Sequence, residues 1–103
     1  MQYKLIITGP AEQDLAKIAK YISNDLSSPK AAINFIDEVN NCYENISLNP
    51  LMYPLSENER LNKKGYRKAL IKNYIMLYRV EEKEKTVNIM RFIYGGRDYF
   101  NIV

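Results

Sequence analysis

Tyr74-Ile75-Met76-Leu77-Tyr78-Arg79-Val80, followed after the charged run Glu81 to Lys85 by Thr86-Val87-Asn88-Ile89-Met90-Arg91-Phe92-Ile93-Tyr94, is the stretch whose reading decides the fold. Both halves are rich in β-branched and aromatic residues, which reads as two strands. One step upstream, Tyr66 to Ile71 has the same character and ends at Lys72-Asn73. Connections this short make the three strands an antiparallel meander. The mixed charges of Glu81 to Lys85 read as a solvated hairpin tip. Alternation groups Arg67 with Ala69 and Ile71, Ile75 with Leu77 and Arg79, and Val87 with Ile89, Arg91 and Ile93. A matching register puts Arg67, Arg79 and Arg91 on one sheet face. Because helices have to cover one face, the arginines are expected on the other face or at strand ends, with their stems lying on apolar surface.

Outward to the N-terminus, Tyr3, Leu5 and Ile7 alternate with Lys4, Ile6 and Thr8, which predicts a further short strand. Thr8-Gly9-Pro10 stops it and starts a helix whose apolar stripe is Ala11, Leu15, Ile18 and Ile22, with Glu12 and Asp14 in the first turn where the helix dipole favours acids. Ser28-Pro29 repeats the start signal, and Ala32, Phe35, Ile36, Val39, Cys42, Tyr43 and Ile46 draw a second stripe that ends at Asn49-Pro50. Two antiparallel helices result. From Leu51 to Lys64 no period is visible, so a loop is expected, pinned to the core by Leu51, Met52, Tyr53 and Leu55.

Composition bounds the function. The 103 residues, 47% hydrophobic, suit one domain spanning 1–103 with one core. The apolar run at the N-terminus is far shorter than a signal-peptide core, and no run reaches the length of a membrane span, so a cytoplasmic protein without a membrane partner is expected. Cys42 is the sole cysteine and there is no histidine. This excludes an internal disulfide and removes the usual metal and nucleophile–base constellations, so neither metal nor cofactor is expected. Cys42 itself reads as a small apolar helix residue. Four lysines stand against eight acids before Arg60, and eleven basic groups against four acids from Arg60 onward. Such asymmetry points to an anionic partner for the second half, nucleic acid or an acidic polypeptide. The nine tyrosines are expected at the core or its rim rather than as a base-stacking platform.

The order of these elements, together with Ala11-Glu12-Gln13-Asp14-Leu15, Ile18, Tyr21-Ile22, Ala31-Ala32, Asn49-Pro50, Gly65-Tyr66-Arg67, Tyr78-Arg79-Val80, Arg91 and Gly95-Gly96-Arg97-Asp98, resembles the toxin half of bacterial type II toxin-antitoxin modules, the RelE/ParE superfamily. The resemblance covers nearly the whole chain. It implies an α+β fold of two layers, an N-terminal strand and a two-helix hairpin on a three-stranded antiparallel meander in one sheet. It also implies a cytoplasmic toxin that arrests growth unless a cognate antitoxin, a small acidic protein, wraps it, in a module of the plasmid-stabilising kind. The superfamily divides into ribosome-dependent messenger RNA nucleases of the RelE type and ParE-type inhibitors of DNA gyrase. A member that has lost toxicity and only binds its partner is a third possibility.

Cutting RNA through its 2′-hydroxyl requires a base, a cation for the developing phosphate charge, and an acid for the leaving oxygen. By resemblance, RelE-like nucleases use arginines and lysines with a late tyrosine, one arginine following the aromatic that opens the middle strand. Here Ile75 follows Tyr74, and Asn101-Ile102-Val103 stands where the tyrosine is expected. Arg97 matches the family's basic residue after glycine, and Arg67 with Lys68 supplies charge nearby. The ParE-like branch is therefore favoured, with Arg67, Arg79, Arg91, Arg97 and Tyr99 as target-binding residues and Asp98 orienting Arg97 or another arginine. On the nuclease alternative, with ribosome and mRNA as partners, the catalytic group is drawn from Arg67, Lys68, Tyr94, Arg97 and Tyr99. Arg79 and Arg91 have a plainer reading as cross-strand partners of carboxylates such as Glu81. Gly95-Gly96 has no strand-building value and reads as a place where the backbone turns or approaches a partner closely.

Overall fold

One residue joins the first two elements. Thr8 follows strand β1 (Lys4–Ile7) and is the N-cap of helix α1 (Gly9–Lys20), its hydroxyl accepting from the Ala11 N–H at 3.4 Å. The same hydroxyl donates to the carbonyl of Ile89 at 2.7 Å, which ties the strand-to-helix turn to the sheet. The structure, a computed structural model, describes residues 2–95. After α1 the chain makes a π-helical turn, Tyr21–Asp25, before the Ser28-capped helix α2 (Pro29–Leu48), the longest element.

The meander follows the sequence reading closely: β2 (Tyr66–Ile71), β3 (Tyr74–Glu81) and β4 (Thr86–Tyr94). The strand order is β1-β4-β3-β2, with β1 parallel to β4 and the other pairs antiparallel. On the helix side Phe35, Val39 and Ile46 of α2 meet Ala69, Met76, Tyr78, Val87, Ile89 and Phe92, all nearly or fully inaccessible. Burial on this scale supplies most of the folding free energy, at about 25 cal/mol per Å² of apolar surface. Cys42 is buried here too, its thiol pushed up by desolvation.

The segment 51–64 departs from expectation. Leu51, Met52 and Leu55 are largely exposed, so of the four expected anchors only Tyr53 packs on the core. The working anchor is Leu61, wholly buried on a short helix α3 (Glu59–Lys63) whose N-cap is Asn58. This helix lies on the sheet face opposite α1 and α2. There Leu61, Tyr66, Ile75, Leu77 and Ile93 form a second small core. Gly65 closes α3 at φ +82°, a conformation that glycine adopts without strain.

A β-bulge sets the faces of β4. Tyr78 pairs with Ile89, but Leu77 pairs with Arg91, so Met90 is an extra residue. Strict alternation would keep Ile89, Arg91 and Ile93 together. The bulge instead sends Ile89 and Phe92 to the helix side and Met90 and Ile93 to the second core.

Candidate target-binding face

The register separates the three strand arginines. Arg79 lies opposite Tyr66 and Asn88, and Arg91 opposite Leu77, so both belong to the face that carries α3. Arg67 lies opposite Tyr78, whose ring is in the main core, and therefore belongs to the helix side. The expectation of one face shared by Arg67, Arg79 and Arg91 is thus corrected to Arg79 and Arg91 alone.

Each arginine has a definite partner. Arg67 donates from Nη1 to the Tyr53 carbonyl at 2.7 Å and holds the connecting loop against β2. Arg79 is half-buried with its guanidinium 5.4 Å from the centroid of the Tyr66 ring, a cation–π geometry. Arg91 reaches Asp14 of α1, Nε at 2.6 Å and Nη2 at 3.0 Å, and the same carboxylate accepts the Phe92 N–H at 3.1 Å. The Asp14 hydrogen bonds hold the Arg91 guanidinium above its ordinary range. Neither Arg79 nor Arg91 pairs with Glu81, so the cross-strand carboxylate reading gives way to a ring and to a helix carboxylate.

Lys68 shares the α3 face, diagonal to Arg79 through the Lys68–Leu77 and Tyr66–Arg79 pairs. Together they make a cationic rim around an apolar centre. Tyr94 faces the other way, packed edge-on to Tyr74 at 5.8 Å, so Lys68 and Tyr94 are on opposite faces. Arg97, Asp98 and Tyr99 lie outside the described residues. Gly95 has an internal use: its N–H donates to the Asn73 carbonyl at 2.8 Å, and an added Cβ would stand 3.0 Å from that oxygen.

Such a rim can bind an anion. On the helix side of the sheet, burial pushes the phenols of Tyr43 and Tyr78 up to about 12 and raises those of Tyr53 and Tyr74. Desolvation keeps them protonated and so disfavours a role as base near neutral pH. Among the described residues no group of His, Cys, Asp and Glu side chains is placed to hold a metal ion, and no helix is long and apolar enough to cross a membrane. Between the helix hairpin and the β2–β3 turn, Tyr21, Leu26, Phe35, Tyr74 and Tyr94 line an apolar groove of about 410 Å³.

Two residues that shape this face have only faint sequence signals. Asp14 lies three residues after Ala11 and one before Leu15, on the flank of the buried stripe, which is an unusual place for a solvated acid. Tyr66 supports Arg79, and only the strand pairing reveals it.

Residues 5–99 match the family described as the ParE toxin of type II toxin-antitoxin system, parDE. The chain belongs to this family and is a toxin of a type II toxin-antitoxin system within the RelE/ParE superfamily. Its fold is similar to that in the chromosomal ParDE system of Pseudomonas aeruginosa, at TM-score 0.70 and 20% identity over 90% of this chain and 96% of that one. It is also similar to the toxin-antitoxin complex RelBE2 of Mycobacterium tuberculosis, at 0.64 and 23% over 91% and 99%. A third similar fold is in the archaeal RelE-RelB complex of Pyrococcus horikoshii OT3, at 0.55 and 21% over 95% and 100%. No curated protein sequence matches the chain.

Proposed function

We propose that this toxin acts as a ParE-like inhibitor of DNA gyrase, holding or disturbing the enzyme's DNA-bound state without hydrolytic chemistry of its own, in the cytoplasm and under control of a cognate antitoxin. The observation that carries the reading is Ile75. It occupies the position after the aromatic that opens the middle strand, where a RelE-like nuclease would by resemblance place an arginine. Ile75 is 6% exposed and packed with Leu61, Leu77 and Ile93. A face built as a dry core beneath a cationic rim suits docking better than acid–base work.

The contact residues proposed are Arg79 with Lys68 on the rim, and Arg97, Asp98 and Tyr99 beyond the described residues. Arg67 and Arg91 already serve internal partners, so their part in target binding is secondary. Arg97→Ala and Arg79→Ala should each weaken gyrase inhibition about tenfold, the worth of one charged contact; Arg97→Ala should leave the melting temperature nearly unchanged, and Arg79→Ala, which also gives up the Tyr66 ring, should cost about 0.5–1 kcal/mol. The deciding assay is DNA supercoiling by purified gyrase, run beside translating ribosomes with their mRNA. Supercoiling untouched and mRNA cut at codons would move the chain to the nuclease branch, with Lys68, Tyr94 or Tyr99 in proton transfer.

A further inference from the structure

We infer that the apolar groove between the helix hairpin and the β2–β3 turn is the seat of this chain's own last residues, Phe100 and Ile102 entering it, so that Arg97, Asp98 and Tyr99 are held between two fixed points. The docking stands on the groove and on the sequence that follows it; its use in target binding rests on the gyrase reading above. The floor of the groove is a run of three aromatic rings, Phe35 5.3 Å from Tyr74 and Tyr74 5.8 Å from Tyr94 between centroids. Tyr21 and Leu26, which bracket the π-helical turn, supply a wall. Tyr21, Leu26 and Tyr94 are 46%, 55% and 55% exposed, so the described residues leave several large apolar side chains around one groove in water.

The path of the chain selects the occupant. Strand β4 ends at Tyr94, which lines the groove, and the Gly95 N–H is bonded to the carbonyl of Asn73, which lines it too. The described part of the chain is thus tied off at the groove's wall. Beyond it the sequence runs Gly96-Arg97-Asp98-Tyr99-Phe100-Asn101-Ile102-Val103. Gly96 permits a reversal of either hand. Phe100 lies five positions after Gly95, a reach of up to about 17 Å. Along an extended segment Phe100 and Ile102 share one side and Asn101 takes the other, so two apolar side chains enter the groove while the amide stays in water.

A second copy or a separate partner has to reach the same groove from bulk solution. A segment tethered so close acts at a local concentration in the millimolar range, which favours the chain's own residues over any micromolar competitor of similar chemistry. The consequence falls on the residues in between. With Gly95 bonded to Asn73 at one end and Phe100 seated at the other, Arg97, Asp98 and Tyr99 form a short arch whose ends are fixed, and part of the cost of ordering their side chains on a target is met before binding.

Nuclear Overhauser contacts in the isotope-labelled full chain test the docking without reference to any target. The Phe100 ring and the Ile102 methyls should contact the Leu26 methyls and the Tyr74 ring. Absence of these contacts overturns the inference, and their appearance between labelled and unlabelled copies in a mixed sample overturns it in favour of a second copy. Supercoiling by purified gyrase then tests the arch. Phe100→Ser and Leu26→Ser, the latter at an exposed position, should each weaken inhibition about tenfold although neither removes a charge, and the two together should lose no more than one alone. Leu48→Ser, exposed at the end of α2, should change nothing. Losses that add would show that Leu26 and Phe100 touch the target separately and would overturn the positioning role. An unmodified chain that leaves gyrase untouched overturns the gyrase reading, while the contacts in the free chain still decide the docking.

Discussion

Replacing Asp14 by alanine should destabilise the protein far more than a surface charge change. The carboxylate binds the Arg91 guanidinium twice and the Phe92 N–H once, with side chains 14% and 28% exposed. Removing one partner of a fully buried ion pair costs about 3–5 kcal/mol, and an exposed pair is worth about 0–1. At this intermediate exposure the Asp14→Ala change should cost about 2–4 kcal/mol. Asp14→Asn keeps an acceptor for Phe92 but loses the charge, so roughly half that loss is expected. Arg91→Met completes a double-mutant cycle, whose coupling energy should be about 1.5–3 kcal/mol. Because the chain has no tryptophan, far-UV circular dichroism during urea unfolding is the suitable signal. A loss below about 0.5 kcal/mol, or a coupling near zero, would show that the pair is solvated and that α1 is held to β4 by packing alone.

Phe35→Ala, at 1% exposure in the main core, should cost about 3–5 kcal/mol by the same measurement, and a parent-like melting curve with lost toxicity would place Phe35 in a recognition surface instead. Two tyrosines should respond oppositely to loss of the hydroxyl. Tyr78 donates to the buried Pro50 carbonyl at 2.9 Å, so Tyr78→Phe should cost about 1 kcal/mol, whereas the Tyr43 hydroxyl is buried without a hydrogen-bond partner among the described residues and Tyr43→Phe should be neutral or stabilising. Both phenols titrate at about 12 when folded, above their ordinary 10, so the folded state holds these protons more tightly. Stability should accordingly begin to fall above about pH 9, where the unfolded Cys42 thiol ionises while the buried one keeps its proton, and fall most steeply between pH 10 and 12; phenolate absorbance rising smoothly at pH 10 for all nine tyrosines, with no unfolding, would refute this. Gly65→Ala should cost about 1–2 kcal/mol from its left-handed backbone, read as a lower melting temperature.

The meander is legible in sequence because three strands with two-residue and charged-run turns leave little freedom of pairing, and their ends fall within a residue of expectation. Helix starts are equally plain, since Thr8-Gly9-Pro10 and Ser28-Pro29 combine a hydroxyl cap with proline. Helix α3 is not legible by period: five residues are fewer than two turns, and one buried leucine makes no stripe. Its trace is Asn58, a cap followed by an acid. The arginines show a different limit. Alternation assigns a face only as far as the next bulge, and nothing local marks Met90 as the extra residue. Partners separated by 77 positions, such as Asp14 and Arg91, become visible only when α1 is laid beside β4.

The bulge at Met90 also bears on how this strand tolerates changes of length. Removing one residue from an ordinary strand exchanges inside for outside in everything that follows. Here Met90 is already surplus to the pairing, so its deletion would leave Arg91 opposite Leu77, Phe92 in the main core and Ile93 in the second one. The Thr8 hydroxyl, which reaches the Met90 carbonyl at 3.2 Å, would keep its shorter bond to Ile89. A single-codon loss at this point is thus a route by which relatives can differ in length inside a central strand without re-sorting a single buried side chain.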